Sequence, residues 1–499
     1  MGEAEHSAAG PLPGRPIRWV KQHGRVLAVA VFALSALLTR SWEGDLHGDP
    51  VRYASVSLSI LQTGDWLIMH NAPGVIYTDK PPLMFWLVAT SYRLFGVGTY
   101  AAKVWSCLFA IGACVLTYLL GKRLFGPTAG LLAGAMLAVT PGLVINAVDL
   151  RMDSSVMFYM VLAALAVVRA DAEDRPRWLL LAGLAAGLAV MTKSAAGALV
   201  GILVGLLLLV RRPRFLIHPY LFGAVALALL VALPWHVHEM FWNKEKFAER
   251  YLGAQIEDRL VLGWHIPANV VRHIGSILLR GLPWTPLALL ALVRRRRLGH
   301  RELASGRTER WGMTLALVWA AEVIVLMAVA PRPYDRYLIP AYPAIMLLAG
   351  LGLDQLLSPR ARAAAPAVVA CLGVASTFLL AVVPVKLHTY QSTGFVHARD
   401  LLDTVTPGTP LAVYDPTVPP ESSRIYGSWV LCSKTNYYLR RPLRISVSEE
   451  ELLAASPRFV MARNQYAEPL RTAGYEKILD LDGTYQLFER HAPPQPPLR

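Results

Sequence analysis

The chain has 499 residues, of which 55% are hydrophobic and 17% charged, and its formal net charge is +15. Soluble globular domains are rarely this apolar, so the composition favours a protein that crosses a membrane several times. The positive charge is not interpreted as nucleic-acid binding, because many basic residues lie in short loops between apolar stretches, as at 122–123, 211–212 and 294–297.

Apolar stretches near the roughly 20 residues that cross a bilayer recur along the first part of the chain. The first stretch is too long, and too poorly followed by a cleavage site, to be a removed signal peptide, so we interpret it as a retained helix. The predicted fold is a polytopic α-helical membrane protein with about 11–13 spans. Spans are predicted near residues 25–40, 101–120, 127–147, 154–170, 178–191, 195–210, 219–240, 270–293, 312–330, 334–356 and 363–384.

The basic loops also predict an orientation. With the polar segment 1–24 in the cytoplasm, each loop after an even-numbered span carries Lys or Arg, as the positive-inside rule requires. The membrane domain is then 25–384, and its loop 41–100, its segment 241–268 and the C-terminal region face outward. The predicted location is the inner (plasma) membrane of a bacterium.

The C-terminal region 385–490 has a different sequence pattern from the apolar part before it. Short strand-like segments alternate there with helical ones, which predicts a small α/β domain outside the membrane. The strands are expected at 409–415, 458–464 and 485–490, and the helices at 398–405 and 448–455. Residues 491–499 are proline-rich and predicted to be disordered. No C-x-x-C spacing occurs, and Cys432 stands alone in this region, so no disulfide is predicted within it.

Charged residues cluster in two predicted outer turns. Asp49 follows the first span closely, with Arg52 and Tyr53 beside it, and residues 54–64 have the spacing of an amphipathic helix at the membrane surface. Asp153 lies where the third and fourth spans meet. Ionisable groups at membrane depth are costly and tend to be functional. The alternative is an ordinary solvated loop at Asp49 and a polar turn at Asp153.

The segment YTDKPPLMFW, residues 77–86, places Asp79 and Lys80 directly before two prolines and an aromatic stretch that ends in Trp86. A purely structural interpretation exists for each part. Lys80 would extend to the membrane surface, Trp86 would lie in the interfacial aromatic belt, and the prolines would begin a helix.

Several short motifs follow one another in a fixed order. They are Asp49 with Arg52-Tyr53, Gly64-Asp65-Trp66, Asp79-Lys80-Pro81-Pro82-Leu83, Leu94-Phe95-Gly96 and Asp153, followed by MTKS (191–194), GLPWTPL (281–287) and RYLIPAYPA (336–344). In this order and spacing the chain resembles the lipid-dependent membrane glycosyltransferases of the GT-C fold. It is most similar to family 39, the group of bacterial aminoarabinose transferases and protein O-mannosyltransferases. The resemblance covers most of the membrane part and none of the C-terminal domain. It departs at Pro50, where the family has a second acid, which leaves open how an acceptor or metal is held.

The resemblance implies transfer of a sugar, with inversion, from a polyprenyl-phosphate donor to an extracytoplasmic acceptor: a lipid A-like lipid, an envelope glycan or a protein hydroxyl. Lys80 is expected to stabilise the charge that grows on the departing phosphate. The aromatic stretch with Trp86 is expected to cover the isoprenoid tail. Asp49 is expected to act as the base for a hydroxyl acceptor, or to position a phosphate acceptor. Asp153 is expected to orient the sugar or the acceptor.

The resemblance also implies further contacts with substrate. Arg52 is expected to hold Asp49 or a phosphate, and Tyr53, Asp79 and Lys193 to bind substrate; Lys193 is equally well explained as a lysine extending to the membrane surface. No cofactor is certain. The resemblance allows a divalent metal ion held by Asp79 and His265, and the alternative for His265 is an interfacial histidine.

Two other classes of function share part of this pattern. A transporter or lipid flippase has the same composition, but it would favour ionisable groups near the bilayer midplane and related halves, and the sequence shows neither. A non-catalytic assembly or sensor protein would use the C-terminal domain to bind a partner. The ordered motif series argues against it.

Overall fold

The computed structural model describes residues 15–41, 45–46, 48–253, 257–259, 261–298, 305–382, 393–414, 416, 433–441, 443–446 and 448–490. Within these ranges the chain is almost entirely helical up to residue 382 and forms an α/β domain from residue 393 onward. The predicted fold class, a polytopic helical membrane protein with a small C-terminal α/β domain, is confirmed. The predicted disordered tail 491–499 and Cys432 lie outside the described residues.

Each predicted span coincides with a helix or with two consecutive helical segments. The helices are α1 (Arg15–Ser41), α2 (Asp49–Thr63), α3 (Leu83–Phe95), α4 (Thr99–Phe125), α5 (Pro127–Ala138), α6 (Pro141–Ala147), α7 (Asp153–Ala172), α8 (Leu179–Gly197), α9 (Leu199–Arg211), α10 (Pro219–Trp242), α11 (Lys244–Lys246), α12 (His265–Arg280), α13 (Thr285–Leu298), α14 (Ser305–Ala328), α15 (Tyr342–Asp354), α16 (Pro359–Val382) and α17 (Thr393–Val405). A π-helical turn, Phe247–Gly253, follows α11, and a 3₁₀ helix, Asp335–Ala341, leads into α15.

The number of spans is smaller than predicted when length and hydropathy are applied to the described helices. Six helices are long and apolar enough to cross a membrane, and up to eight spans result if the bent pairs α5–α6 and α12–α13 each count as one. These pairs bend by 56° and 106°. Helix α9 is apolar but has only 13 residues, which at 1.5 Å per residue is shorter than the hydrocarbon core. The predicted 11–13 spans are therefore not confirmed.

Small residues allow the helices of the bundle to approach one another closely. A Cβ atom at Gly183 of α8 would lie 2.2 Å from the carbonyl oxygen of Ala224 in α10, and one at Gly130 of α5 would lie 2.5 Å from the backbone nitrogen of Lys122 in α4. Within lipid, helices associate through such close packing because hydrocarbon tails give no hydrophobic drive between them. Glycine at these positions is thus a requirement of packing.

The predicted outer loop 41–100 is structured. The amphipathic helix expected at 54–64 is confirmed, but it begins earlier, at Asp49, because Pro50 fits the first turn of a helix. It ends at Gly64, which adopts the left-handed conformation (φ 76°) that glycine accepts without strain. A short hairpin of β1 (His70–Ala72) and β2 (Val75–Ile76) then leads to α3.

The C-terminal domain contains a five-stranded sheet in the order β4-β3-β5-β7-β6. Its strands are β3 (Leu411–Tyr414), β4 (Leu443–Ser446), β5 (Phe459–Arg463), β6 (Tyr475–Asp480) and β7 (Tyr485–Arg490), and its later helices are Glu449–Ala455 and Ala467–Thr472. Strand β3 is parallel to β4 and β5, whereas β7 is antiparallel to β5 and β6. The three predicted strands are confirmed. The edge strand β6 was not predicted, since its largely exposed, charged sequence YEKILD lacks an apolar face.

The C-terminal domain packs directly on the outer-loop helices. One apolar cluster contains Val51 of α2 and Phe85 of α3 together with Phe395, Tyr437 and Tyr438 of the domain. All five side chains are buried. The domain and the loop 41–100 therefore share a core.

We expect Gly183→Ala to destabilise the protein, because its methyl group would overlap the backbone of α10. Overpacking of this kind costs about 1–3 kcal/mol. The matched control is Gly201→Ala in α9, where the added Cβ meets nothing within 4 Å. Thermal unfolding of the purified protein in detergent should show a lower midpoint for the first variant alone. Equal midpoints for the two variants would contradict the packing described for α8 and α10.

Candidate functional site

A cavity of 460 Å³ opens where the first turns of α2 and α7 meet the segment before α3, the end of α8 and the 3₁₀ helix Asp335–Ala341. Asp49, Lys80 and Asp153, to which the resemblance gives roles in one reaction, all line it. Its lining residues are Gly48, Asp49, Arg52, Tyr53, Tyr77, Asp79, Lys80, Arg151, Met152, Asp153, Lys193, Tyr334, Arg336 and Tyr337.

Two of the acids occupy the first turn of a helix. Asp49 begins α2 and Asp153 begins α7. The unpaired backbone N–H groups at a helix N-terminus favour negative charge, so local structure stabilises both carboxylates where they stand. Gly48 precedes α2 with φ 64° and ψ −129°, a conformation that side chains with a Cβ rarely adopt. This turn directs the start of α2 to the cavity.

The Asp49 carboxylate is shared by two arginines. Its Oδ2 atom lies 3.4 Å from Nη1 of Arg151 and 3.3 Å from Nη2 of Arg336. Arg151 also faces Asp149, with 3.5 Å between Nε and Oδ2. The guanidinium of Arg336 lies 4.6 Å from the ring centre of Tyr334. A single carboxylate thus joins α2 to the turn before α7 and to the 3₁₀ helix before α15.

A second ion pair links α2 to the segment before α3. Nη1 of Arg52 lies 2.8 Å from Oδ2 of Asp79, and the guanidinium lies 4.6 Å from the ring centre of Tyr77. Asp79 and the neighbouring Lys80 are only 9% and 7% exposed. Proline disfavours helical geometry in the residue before it, and α3 begins only after Pro81 and Pro82, at Leu83.

The third acid pairs with a lysine at a break in a helix. Lys193 and Ser194 of α8 have non-helical backbone angles, and Ser194 has φ 49°. Such a conformation costs about 1–3 kcal/mol in a residue other than glycine. At this break the Lys193 ammonium pairs with the Asp153 carboxylate and lies 5.2 Å from the ring centre of Tyr337. The break therefore brings a cation of α8 to the N-terminus of α7.

Two tyrosines on the cavity wall remain neutral. Burial raises the pKa of Tyr53, and the Asp49 carboxylate raises it further, while Arg151 and Arg336 act in the opposite direction. Burial likewise raises the pKa of Tyr77, against the opposing effect of Arg52. Both phenols keep their proton at neutral pH, so they can donate hydrogen bonds to a ligand.

The lining of the cavity has an excess of positive charge. Five basic side chains face three carboxylates in it: Arg52, Lys80, Arg151, Lys193 and Arg336 against Asp49, Asp79 and Asp153. Each carboxylate is ion-paired. Because charge in a partly buried site is only weakly screened, the net positive charge of the lining favours an anionic ligand.

Two of the predicted site residues lie elsewhere. Trp86 is not among the lining residues, and its indole nitrogen donates to the carbonyl oxygen of Trp66 at 2.6 Å; its expected contact with the isoprenoid tail stays a prediction. His265 is also absent from the lining, and its Nε2 lies 3.0 Å from the carbonyl oxygen of Val329.

The predicted metal pair is not brought together. Asp79 faces Arg52 instead of His265. Across the described part of the chain, no three His, Cys, Asp or Glu side chains are grouped so that they could hold a metal ion. The carboxylates that line the cavity each face a cation, which disfavours a metal ion among them. The residues as placed do not fit the divalent ion that the resemblance allows.

Sequence reasoning missed several lining residues, including both partners of Asp49. Arg151 lies two residues before Asp153, and Arg336-Tyr337 open the motif RYLIPAYPA, so all three stand beside predicted features without a predicted role of their own. Tyr77 and Tyr334 gave no signal beyond being aromatic. A better signal would have been the requirement that every carboxylate at membrane depth has a cationic partner.

The fold and the site define a class of protein: a multi-pass helical membrane protein with a buried, cation-rich cavity bordered by acids at helix N-termini, and with a small α/β domain packed on its outer-loop helices. This architecture is similar to that of the GT-C membrane glycosyltransferases, which the ordered motifs resemble. Comparisons with known proteins agree with this class.

A family model described as dolichyl-phosphate-mannose-protein mannosyltransferase matches residues 79–238. The undecaprenyl phosphate-alpha-4-amino-4-deoxy-L-arabinose arabinosyl transferase of Pseudomonas aeruginosa (strain UCBPP-PA14) is 29% identical over 349 residues, which are 66% of this chain and 59% of that protein. The chain thus spans less than two thirds of the length of the curated relatives that it matches.

Two solved structures share the fold. The crystal structure of ArnT from Cupriavidus metallidurans bound to undecaprenyl phosphate has a TM-score of 0.69 and 19% identity, covering 94% of this chain and 98% of that one. The apo oligosaccharyltransferase of Archaeoglobus fulgidus has a TM-score of 0.53 and 13% identity, covering 91% and 71%. The resemblance indicated by the motifs, to GT-C glycosyltransferases of the ArnT and mannosyltransferase type, is confirmed.

We expect Arg52→Ala to lower the free energy of unfolding by about 3 kcal/mol, because it leaves the Asp79 side chain, 12% exposed, without the guanidinium beside it. The double variant Arg52→Ala/Asp79→Ala should recover part of this loss, since no lone charge stays buried. The control Arg471→Ala breaks an exposed pair with Glu468 and should cost less than about 1 kcal/mol. Thermal unfolding measures all three, and equal losses for Arg52→Ala and Arg471→Ala would contradict the buried pair.

Proposed function

We propose that the protein is an integral-membrane glycosyltransferase that moves a sugar from a polyprenyl-phosphate donor to an extracytoplasmic acceptor, with inversion. The observation that carries this proposal is the cavity itself: an excess of cations, three paired acids and neutral tyrosines in 460 Å³. The names of its relatives support it, since the Pseudomonas aeruginosa protein is an arabinosyl transferase and the ArnT structure contains undecaprenyl phosphate.

Lys80 is the proposed partner of the donor phosphate. When the bond to the anomeric carbon breaks, the lipid phosphate leaves with an additional negative charge, and a cation already fixed beside it lowers the barrier. Lys80 is buried and held by the prolines that precede α3, so it needs little reorganisation at that moment. The apolar stretch that follows it would lie along the isoprenoid tail.

The acceptor attacks the anomeric carbon from the face opposite the leaving phosphate, and this single displacement inverts the centre. Asp153, held by Lys193, is the proposed group that orients the sugar or the acceptor. Tyr53 and Tyr77 supply neutral donors for hydroxyl or phosphate oxygens.

The surroundings of Asp49 favour an acceptor that is already an anion. A hydroxyl acceptor requires a base that takes its proton during the attack. Protonation of Asp49 would remove the charge that Arg151 and Arg336 both face. A phosphate oxygen needs no such proton transfer, and two arginines beside the attacking group would bind it well. We therefore propose an acceptor phosphate, with Asp49 holding the arginines in position.

A transporter or flippase is not favoured, because the relatives found by sequence include arabinosyl transferases and the titratable groups of the lining gather at one cavity. The predicted outward orientation of that cavity, and of the C-terminal domain, follows from the charge pattern of the loops. It places the acceptor outside the cytoplasm, in accord with a bacterial inner-membrane enzyme.

The central test compares envelope lipids, glycans and proteins by mass spectrometry in cells with and without the gene. We expect one product to carry an added sugar that depends on the chain. Asp49→Asn and Lys80→Ala should each lower its formation at least 100-fold, with normal amounts of folded protein. The controls Lys122→Ala and Asp174→Asn change exposed residues remote from the cavity and should retain activity. Normal product formation in both cavity variants would contradict the proposal.

The acceptor class has its own test. If the acceptor is a phosphate, the sugar of the product is joined through a glycosyl phosphate, which mild acid hydrolyses under conditions that leave ordinary glycosides intact. We expect mild acid to release the sugar and to restore the mass of the unmodified acceptor. An acid-stable sugar on a serine, threonine or glycan hydroxyl would show that the acceptor is an alcohol, and would return the role of base to Asp49.

A further inference from the structure

The C-terminal domain contacts the helix that carries three of the cavity residues. Asp49, Arg52 and Tyr53 all lie in the first turns of α2. Further along the same helix, Ser55 and Ser59 are fully buried. Their hydroxyl groups accept hydrogen bonds from the side-chain amide of Asn436, with distances from Nδ2 of 3.0 Å and 3.1 Å. Asn436 is itself 4% exposed.

Asn436 belongs to residues 433–441, here called the docking segment, which makes further bonds to the outer loop. The hydroxyl of Tyr438 accepts from the backbone nitrogen of Leu46 at 2.9 Å and donates to its carbonyl oxygen at 3.1 Å. Ser433 donates to the side chain of Asn71 at 3.0 Å, and the Ser55 hydroxyl donates to the Asn71 carbonyl at 2.5 Å.

The docking segment is in turn fixed to its own domain. Lys434, 6% exposed, is ion-paired with Asp482 in the turn between β6 and β7. At the other end Arg441, 5% exposed, pairs with Asp403 of α17 at 2.8 Å. Buried polar contacts of this kind constrain geometry, because a buried charged group that loses a partner is costly. The docking segment is thus held to the rest of its domain at both ends.

We propose that Asn436 is a positioning residue: it fixes the register and tilt of α2, and through α2 it holds Asp49, Arg52 and Tyr53 at the cavity. The inference rests on the proposed glycosyl transfer for its consequence, although the contact itself does not. The C-terminal domain, which contains none of the ordered sequence motifs, thereby becomes a part of the site's geometry. Displacements of about 1 Å at reacting groups cost rates of the order of 100-fold.

The test has a structural and a functional readout, both on the full chain. Hydrogen exchange of residues 49–63 in lipid nanodiscs, followed by mass spectrometry, reports the fixation of α2. The rate of formation of the sugar-bearing product in isolated membranes, per amount of folded protein, reports its consequence. The variants are Asn436→Ala and, from the α2 side of the same contact, Ser59→Ala.

The matched control is Arg440→Ala. Arg440 lies in the docking segment and donates to the carbonyl oxygen of Val97 at 3.2 Å, so its loss removes a bond between the same two parts of the molecule without touching α2. Asn436→Gln keeps the amide donor and tests rescue.

We expect Asn436→Ala and Ser59→Ala to speed hydrogen exchange in residues 49–63 and to lower the rate of product formation about tenfold or more. The double variant should be no worse than Asn436→Ala alone, since the bond that Ser59→Ala removes is one of those that Asn436→Ala removes. Arg440→Ala should leave exchange and rate within about twofold, and Asn436→Gln should recover part of the rate. If Asn436→Ala does not accumulate, Ser59→Ala carries the same comparison.

The proposal would be overturned if hydrogen exchange in residues 49–63 were unchanged in both Asn436→Ala and Ser59→Ala. It would also be overturned if Arg440→Ala changed exchange and rate as much as these two variants do. Faster hydrogen exchange in residues 49–63 with an unchanged rate of product formation would mean that Asn436 is only a structural contact, and would also overturn the proposal. Failure of the proposed transfer itself is separate: there, Asp49→Asn and Lys80→Ala would leave the product unaffected in the same membranes.

Discussion

The shared ion pair of Asp49 is the interaction on which the site depends. This carboxylate faces Arg151 and Arg336, and so joins the first turn of α2 to two segments that follow it by about 100 and about 290 residues. An acid and two guanidinium groups cannot remain unpaired at the edge of a membrane, because desolvation of each charge is costly. Once they meet, the outer loop, the turn before α7 and the 3₁₀ helix are fixed around one volume.

The other two ion pairs repeat the same principle on either side. Arg52 with Asp79 ties α2 to the approach to α3, and Lys193 with Asp153 ties the break in α8 to the start of α7. In each case a carboxylate is matched before a ligand arrives, and the lining as a whole has more basic than acidic side chains, which favours an anionic substrate. A site of this kind is preorganised for phosphate and poorly suited to strong proton abstraction, which connects the geometry to the proposed choice of acceptor.

Rigid supports surround this charged cavity. On the membrane side, glycines allow α8 to contact α10 and α5 to contact α4 through their backbones. On the other side, the α/β domain shares an apolar core with α2 and α3 and adds buried hydrogen bonds through its docking segment. The site is therefore held from both directions, although its residues come from loops and helix ends.

Much of this could be foreseen from local pattern. The apolar spans, the basic loops, the amphipathic helix after the first span and three of the five strands of the small domain were predicted, since each depends on neighbours within a few residues. The ordered motifs also pointed to the GT-C class and to seven of the cavity residues. Helix boundaries and the number of spans were less well predicted, because bends and short helices follow from packing.

The sequence by itself determined the class of fold, the membrane setting and which charged side chains had to find partners, because composition, periodicity and the cost of burying charge act along the chain. Only the tertiary structure decided which residues those partners are. Arg151 and Arg336 meet Asp49, His265 and Trp86 turn to backbone carbonyls elsewhere, and Asn436 reaches α2 from the far end of the chain. Ion pairing and hydrogen bonding act through space over a few ångströms, and distance along the sequence carries no record of them.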